Sequence, residues 1–526
     1  MRYSDIAKFS ILIMSFACGA VGHAAPTPAL DSNEARLLLT RSGFAPAVSE
    51  LINLNGMTRS AAVERLLDGA GKADVLAAPD WVNEPRPGGP RYQDLSVEER
   101  KQRRELEQQR IFALRGWWLQ QMMATSSPLT ERMTLFWHNH FATSFQKVQV
   151  AQLMYRQNVM FREQALGNFA TLLREVSRDP AMLIYLDNAT SRKGTPNENF
   201  ARELMELFTL GEGHYSEQDV KEAARAFTGW SVERDTGAFI LRPALHDGGD
   251  KTVLGRSGKL DGDAVIDILL AQPACAEFII TKLWREFVSP DPDKVEVTRI
   301  AQRFRDSGYD LKLAVHELLL TPAFWDEGNR AHLVKSPVEM VVGTLKQFKV
   351  TYTDPLPFTF AVAQLGQNLF NPPNVKGWPG ADAWINSSTL LARKSVLERV
   401  FRSVDAGSVA APPSMNVAVS AVADNMMVPA TDKAAAMKEL GKVPGQTALG
   451  REGRLRFANA TATISFDPDA WLAQYGVATN SVPDLRQRLA IQKSVLAMEP
   501  SVPIRADLAG SAYLRTLLMD PVFQLK

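Results

Sequence analysis

From about residue 30 onward, apolar residues recur three and four positions apart and alternating segments are few. This pattern predicts a mainly α chain, a multi-helical globular protein with long loops and little β structure. Residues 33–70 predict a helix pair, NEARLLLTRSGF followed by SAAVERLLDG. The Pro/Gly-rich stretch NEPRPGGP separates it from a long helix opened by Ser96 and Glu99 as a capping box. That helix begins EERKQRRELEQQR, charged all round, and reads as a solvated face rather than a binding patch. Four segments, LLREVSRDPAM, LLAQPACAEF, LLLTPAFWDE and LLMDPVFQLK, share paired leucines, a polar step and a proline. In each, Pro180, Pro273, Pro322 or Pro521 is expected to stop a helix while the next apolar residue folds back onto it. Their spacing is irregular, so no solenoid is predicted.

The two dozen residues at the start follow a different order: Met1, Arg2 and Lys8, then the apolar run FSILIMSFACGAV, then small residues around Gly22, Ala24 and Ala25. This is the order of a secretory signal, and the run is short for a bilayer span. Residues 1–25 are therefore read as a signal peptide and the mature chain as exported, periplasmic or extracellular. Lipidation through Cys18 competes, but Ser15 and Phe16 lack the usual aliphatic residue. Residues 26–403 form the expected main helical domain. Residues 404–448, rich in Ala, Ser, Val, Pro and Met, read as a linker or excursion, and 449–526 as a C-terminal helical section packing on the main body.

With 526 residues, two lobes or one elaborated domain are expected. The charge balance of 59 Lys and Arg against 58 Asp and Glu argues against a nucleic-acid partner, and no later run predicts a stable membrane span. Only two cysteines occur, Cys18 and Cys275, so loss of the signal leaves no intrachain disulfide. Cys275, in QPACAEFII, reads as a buried helix residue.

Candidate chemistry concentrates in two stretches. In TPNENFARELMELFTLGEG, Thr195 is placed to cap a helix with Pro196 in its first turn, and Gly211 and Gly213 to end it. Phe200, Leu204, Leu207 and Phe208 make an apolar stripe, and Asn199, Glu203 and Glu206 fall along a neighbouring face. Arg202 stands four residues from both Glu198 and Glu206 and can pair with either. An ion-paired buried helix and a functional carboxylate site both fit this pattern. In SPLTERMTLFWHNHFATS, helical spacing puts Met133, Phe136, Trp137, His140 and Phe141 on the buried face and His138 on the other side with Glu131. A lone histidine there is commonly a hydrogen-bonded core residue, but two of them two apart raise the prospect of metal or acid–base work.

Two loops could join these helices. LRPALHDGGDKTVLG presents His246, Asp247 and Lys251 on a glycine-rich turn, and FNPPNVKGWPGADAWINSSTLLAR carries Trp378 and Trp384. Such rings either stack on a sugar or peptide or plug the loop onto the core, the commoner arrangement. No P-loop, dinucleotide-binding glycine fingerprint, nucleophile elbow or paired-histidine zinc helix is present.

The motifs WHNHFATS, YLDN, NENFARELMELFTLGEGHYSEQDVKEAARAFTGW, HDGGDKTVLG, LVKSPVEMVV and FNPPNVKGWPGADAWI, in that order, resemble a bacterial family known as domain of unknown function 1800. The resemblance implies an exported, largely helical protein, often encoded beside a second exported family that would be its partner, and it implies no settled reaction.

Two readings result. In the first, an exported metal-dependent hydrolase or oxidoreductase uses Glu203, Glu206 and His138 as catalytic groups. Asn199, Arg202, Trp378 and Trp384 would contact substrate, and His138, His140, Glu203, Glu206 and His246 would ligate a divalent ion such as zinc, manganese or iron. A metal-free version would use the two glutamates as acid and base on a glycan or peptide. In the second, the same polar groups form a buried network in a non-catalytic scaffold that binds a neighbouring exported protein.

Overall fold

The computed structural model describes residues 29–71, 75–84, 94–405 and 451–526. The expected signal peptide, most of the NEPRPGGP loop and the 404–448 excursion lie outside the described residues, two positions of the excursion apart. The fold is mainly α. The N-terminal stretch contains three short helices rather than two: α1 (Ser32–Ser42), α2 (Val48–Leu54) and α3 (Arg59–Gly69). A long α4 (Val97–Ala124), with the Ser96–Glu99 capping box in place, leads to α5 (Pro128–His140), a one-turn α6 (Phe145–Val148) and α7 (Ala151–Glu163). Then come α8 (Phe169–Arg178), α9 (Pro180–Tyr185), α10 (Glu198–Glu203) and α11 (Glu217–Ala226).

The β structure among the described residues is two antiparallel pairs, β1 (Trp230–Val232) with β2 (Phe239–Leu241) and β3 (Lys251–Val253) with β4 (Arg256–Gly258). Helices α12 (Gly262–Ala271), α13 (Pro273–Phe287), α14 (Lys294–Asp306), α15 (Leu311–Leu319) and α16 (Pro322–Trp325) follow. After them come α17 (Pro337–Gln347), α18 (Leu356–Gln364) and α19 (Ser387–Asp405). The last described helices are α20 (Arg451–Ala462), α21 (Pro468–Ala473), α22 (Leu485–Val495) and α23 (Gly510–Met519). Among the described residues no single helix is long and apolar enough to cross a membrane.

The four leucine–proline segments work differently from the expectation. Each proline sits in the first turn of the next helix, where its missing N–H costs nothing. The residue before it is forced into extended backbone, and this is what ends the preceding helix. At three of the four steps that residue, Asp179, Thr321 or Asp520, also caps the new helix with its side chain.

Two apolar clusters form the core. One gathers α1, α3, α8 to α15 and one face of α5, with Trp137 and Phe169 at its centre. The other gathers α4, α17, α18 and the C-terminal helices, with Trp118, Phe370 and Trp471. Helix α5 runs between them, giving Met133, Phe136 and Trp137 to the first and Leu135 to the second. It is therefore buried all round, and the polar side assigned to it from helical spacing is a second core face. Glu131 on that face is satisfied by a buried two-bond pair with Arg162 (2.5 and 3.1 Å) and by the indole N–H of Trp118 (3.0 Å). The C-terminal helices reach the main body through side chain to carbonyl bonds, Trp471 to Gln347 and Gln347 to Ser494, both 2.8 Å.

Candidate functional site

The two histidines of WHNHFATS face opposite cores. His138 is enclosed by the rings of Trp118, Phe161 and Phe370, and its Nε2 lies 3.0 Å from the Asn158 amide nitrogen. Burial, reinforced by nearby Arg162, holds its pKa well below the usual histidine value, so the ring is neutral. His140 donates from Nε2 to the Phe208 carbonyl (3.1 Å), which leaves Nδ1 to accept from the Lys282 ammonium (3.0 Å). That ring too is kept neutral by burial, with Lys282 second. The same ammonium donates to the Leu207 carbonyl at 3.2 Å. Lys282 has its pKa lowered to about 8, because it is buried and Arg285 is its charged neighbour.

These carbonyls are available because the glutamate helix changes form. After Glu203, α10 widens into a π turn over Leu204–Thr209, in which Leu210 N bonds back five residues to Met205 O and the Thr209 hydroxyl fills in on Leu204 O. The cap at the other end is Asn197 rather than Thr195, and Pro196 precedes the helix. Glu203 and Glu206 are both half-buried. Burial first, and the neighbouring Glu206 second, raise the proton affinity of Glu203, partly opposed by Arg202 and Lys376. Glu206 instead accepts the Tyr215 hydroxyl at 2.5 Å.

The metal set expected from the sequence is not assembled. Among the described residues no group of three or more His, Cys, Asp or Glu side chains converges to hold an ion. His138 Nε2 and both nitrogens of His140 have other partners, and His246 packs against the α11–β1 connection with Nδ1 on the Thr228 carbonyl (2.9 Å). His138, walled in by aromatic rings, is likewise removed from any acid–base role. Arg202 is spent on Glu217 (2.6 and 2.8 Å) and Glu198 (3.4 Å), not on Glu206 or a free ligand. Trp378 and Trp384 are 4% and 6% exposed, so they are plugs in the second core rather than a stacking platform. Asn199 remains exposed, its amide 3.5 Å from the Leu186 carbonyl. Cys275 is fully buried, its thiol pushed up to about 12 by burial, as a packing residue should be.

The structure instead joins motif segments around an open cleft of about 390 Å³. Ser144, Gln146, Lys147 and Gln149 line it from the α5–α7 connection, Tyr185 from the end of α9, and Pro372 and Pro373 from the FNPP loop. Lys147 is paired with Asp187 at 2.6 Å; Glu203 does not line the cleft, but its charge acts on Tyr185 in the wall, and Lys376 acts on Glu203. The loop is tied down by the Phe145 N–H to Phe370 O (2.8 Å), by Ser144 to Asn371 (2.6 Å) and by Arg115 to Leu369 O (3.0 Å). Three non-glycine residues at its border, Gln149, Asp187 and Phe370, have left-handed backbone with φ of 54°, 61° and 60°. Each costs free energy, and such strain gathers where a surface must hold a set shape.

Sequence reading offered Asp187 as a companion of the glutamate helix but missed Lys147, Tyr185 and the proline pair. Its nearest signal was the dense motif run itself, with YLDN and FNPP among the segments. No curated protein and no solved structure matches the chain. The family model described as "Protein of unknown function (DUF1800)" matches residues 37–525, nearly the whole chain, and the chain belongs to that family.

Proposed function

We propose that the protein is an exported hydrolase that works by general acid–base chemistry at this cleft, without a metal. The observation that supports this most is the pair of neighbouring carboxyl groups in unequal settings, one of which, Glu203, acts electrostatically on Tyr185 in the cleft wall. Burial and the neighbouring Glu206 make Glu203 retain its proton more readily, while Glu206 accepts the Tyr215 hydroxyl. Glu203 would protonate the leaving group while Glu206 takes a proton from the attacking water, and exchange with solvent then returns a proton to Glu203 and removes one from Glu206, which restores the enzyme. Export is supported by the order of residues 1–25. The test is incubation of the purified mature chain with polysaccharide and peptide panels, reading new reducing ends and new amines. Activity abolished by Glu203→Gln at an unchanged melting temperature is the expected result. No turnover on either panel overturns it.

A second reading, a scaffold for a neighbouring exported protein, draws on a different place. A largely apolar groove of about 690 Å³ runs between α1, α2 and α22, where Ile52, Leu485 and Leu489 are 66%, 73% and 47% exposed. Co-purification with that neighbour, lost on Leu485→Asp, would favour it.

A further inference from the structure

We infer that the cleft beside Tyr185 is a subsite for a neutral oligosaccharide. The inference deepens the hydrolase reading and rests on the same site. Its apolar lining is ring-shaped and stiff: one phenol and two consecutive pyrrolidines, Tyr185, Pro372 and Pro373. The flat phenol suits the C–H face of a sugar, and the pyrrolidines add a stiff apolar rim that loses no rotamer freedom on binding. The polar lining mixes donors and acceptors, the Ser144 hydroxyl, the Gln146 and Gln149 amides and the Lys147 ammonium, as vicinal hydroxyls require.

Other ligand classes fit less well. An anion would have to compete for Lys147, the one cation among the described lining residues, with the Asp187 carboxylate beside it. An extended peptide is usually recognised along a strand edge, and neither β1–β2 nor β3–β4 contributes a residue to the cleft. The volume, about 390 Å³, lies toward the small end of ligand pockets, which run to roughly 300–1,000 Å³.

The test is saturation-transfer NMR and calorimetry on the full mature chain with cellotriose, maltotriose and tri-N-acetylchitotriose, and trialanine as the peptide probe. At least one trisaccharide should bind saturably and trialanine should not. Tyr185→Ala should weaken binding at least tenfold and Tyr185→Phe should largely preserve it. Gln149→Gly relieves backbone strain while deleting a lining amide, so it should weaken binding in a protein at least as stable as the wild type. That keeps the test decisive if Tyr185→Ala does not fold. Absence of trisaccharide binding, binding insensitive to both variants, or preference for trialanine overturns the inference. Binding by wild type and Glu203→Gln with no turnover by either keeps the subsite and removes the hydrolase.

Discussion

Asn139 Oδ1 accepts the backbone N–H of Trp378 at 2.7 Å, joining residues 239 positions apart. It is the residue between the two histidines that makes the long-range connection, and it anchors the loop whose prolines line the cleft. Gly377, next to it, has φ +90°, and a Cβ there would stand 2.3 Å from the same oxygen. Only glycine fits such a position.

Asn139→Ala should therefore destabilise the fold by roughly 1–3 kcal/mol, the cost of a buried donor left without its acceptor. Gly377→Ala should cost more, since it adds a clash to backbone strain. Asn139→Asp, which keeps the acceptor, should be milder than Asn139→Ala. Urea unfolding of the three variants checks the order, and a wild-type midpoint for Gly377→Ala would refute the close approach.

Asp179 predicts a pH dependence. It caps α9 while fully enclosed, and burial raises its pKa to about 7 despite bonds from Met182 N and Gln157. The unfolded carboxyl, near 3.8, has lost its proton over a range in which the folded one retains it. This contribution is thus fully present below pH 3.8 and is lost as pH rises through about 7. Asp179→Asn keeps a good cap without the charge, so it should gain on wild type across that window and lead by on the order of 4 kcal/mol above it. Melting temperatures of both proteins from pH 4 to 9 check this, and parallel curves would contradict it.

The neutral, bonded rings of His138 and His140 predict indifference to metal. Melting temperature should not move on adding a chelator or zinc, and elemental analysis of protein purified without a metal-binding tag should find no near-stoichiometric transition metal. A stoichiometric ion that disappears in the Glu203→Ala, Glu206→Ala double variant would reverse the assignment.

Glu131 and Arg162 form a buried pair between the cores, 1% and 7% exposed. Removing one partner strands the other charge, so Glu131→Leu should cost about 3–5 kcal/mol. The double change Glu131→Leu, Arg162→Met should recover much of the loss, measured as a coupling in a double-mutant cycle.

Several features were legible in the chain because their causes are local. Period and capping residues specify helices, as with Ser96 and Glu99, and the buried fate of Cys275 follows from its apolar neighbours. Partners are another matter. Arg202 had two carboxylates at helical spacing, but Glu217, beyond the glycine stop, offers both oxygens and wins. His138 looked outward because helical spacing gives directions, not neighbours, and a second core happens to fill that side.

By itself, the sequence determined the mainly α class and the Ser96–Glu99 capping box through spacing, and the family through its run of motifs. Tertiary packing alone decided that α5 has two buried faces, that the π turn offers its carbonyls to His140 and Lys282, and that Asn139 rather than its flanking histidines holds the loop. Those outcomes depend on contacts between residues far apart in the chain, where each buried polar group must find whichever partner the fold brings within hydrogen-bonding reach.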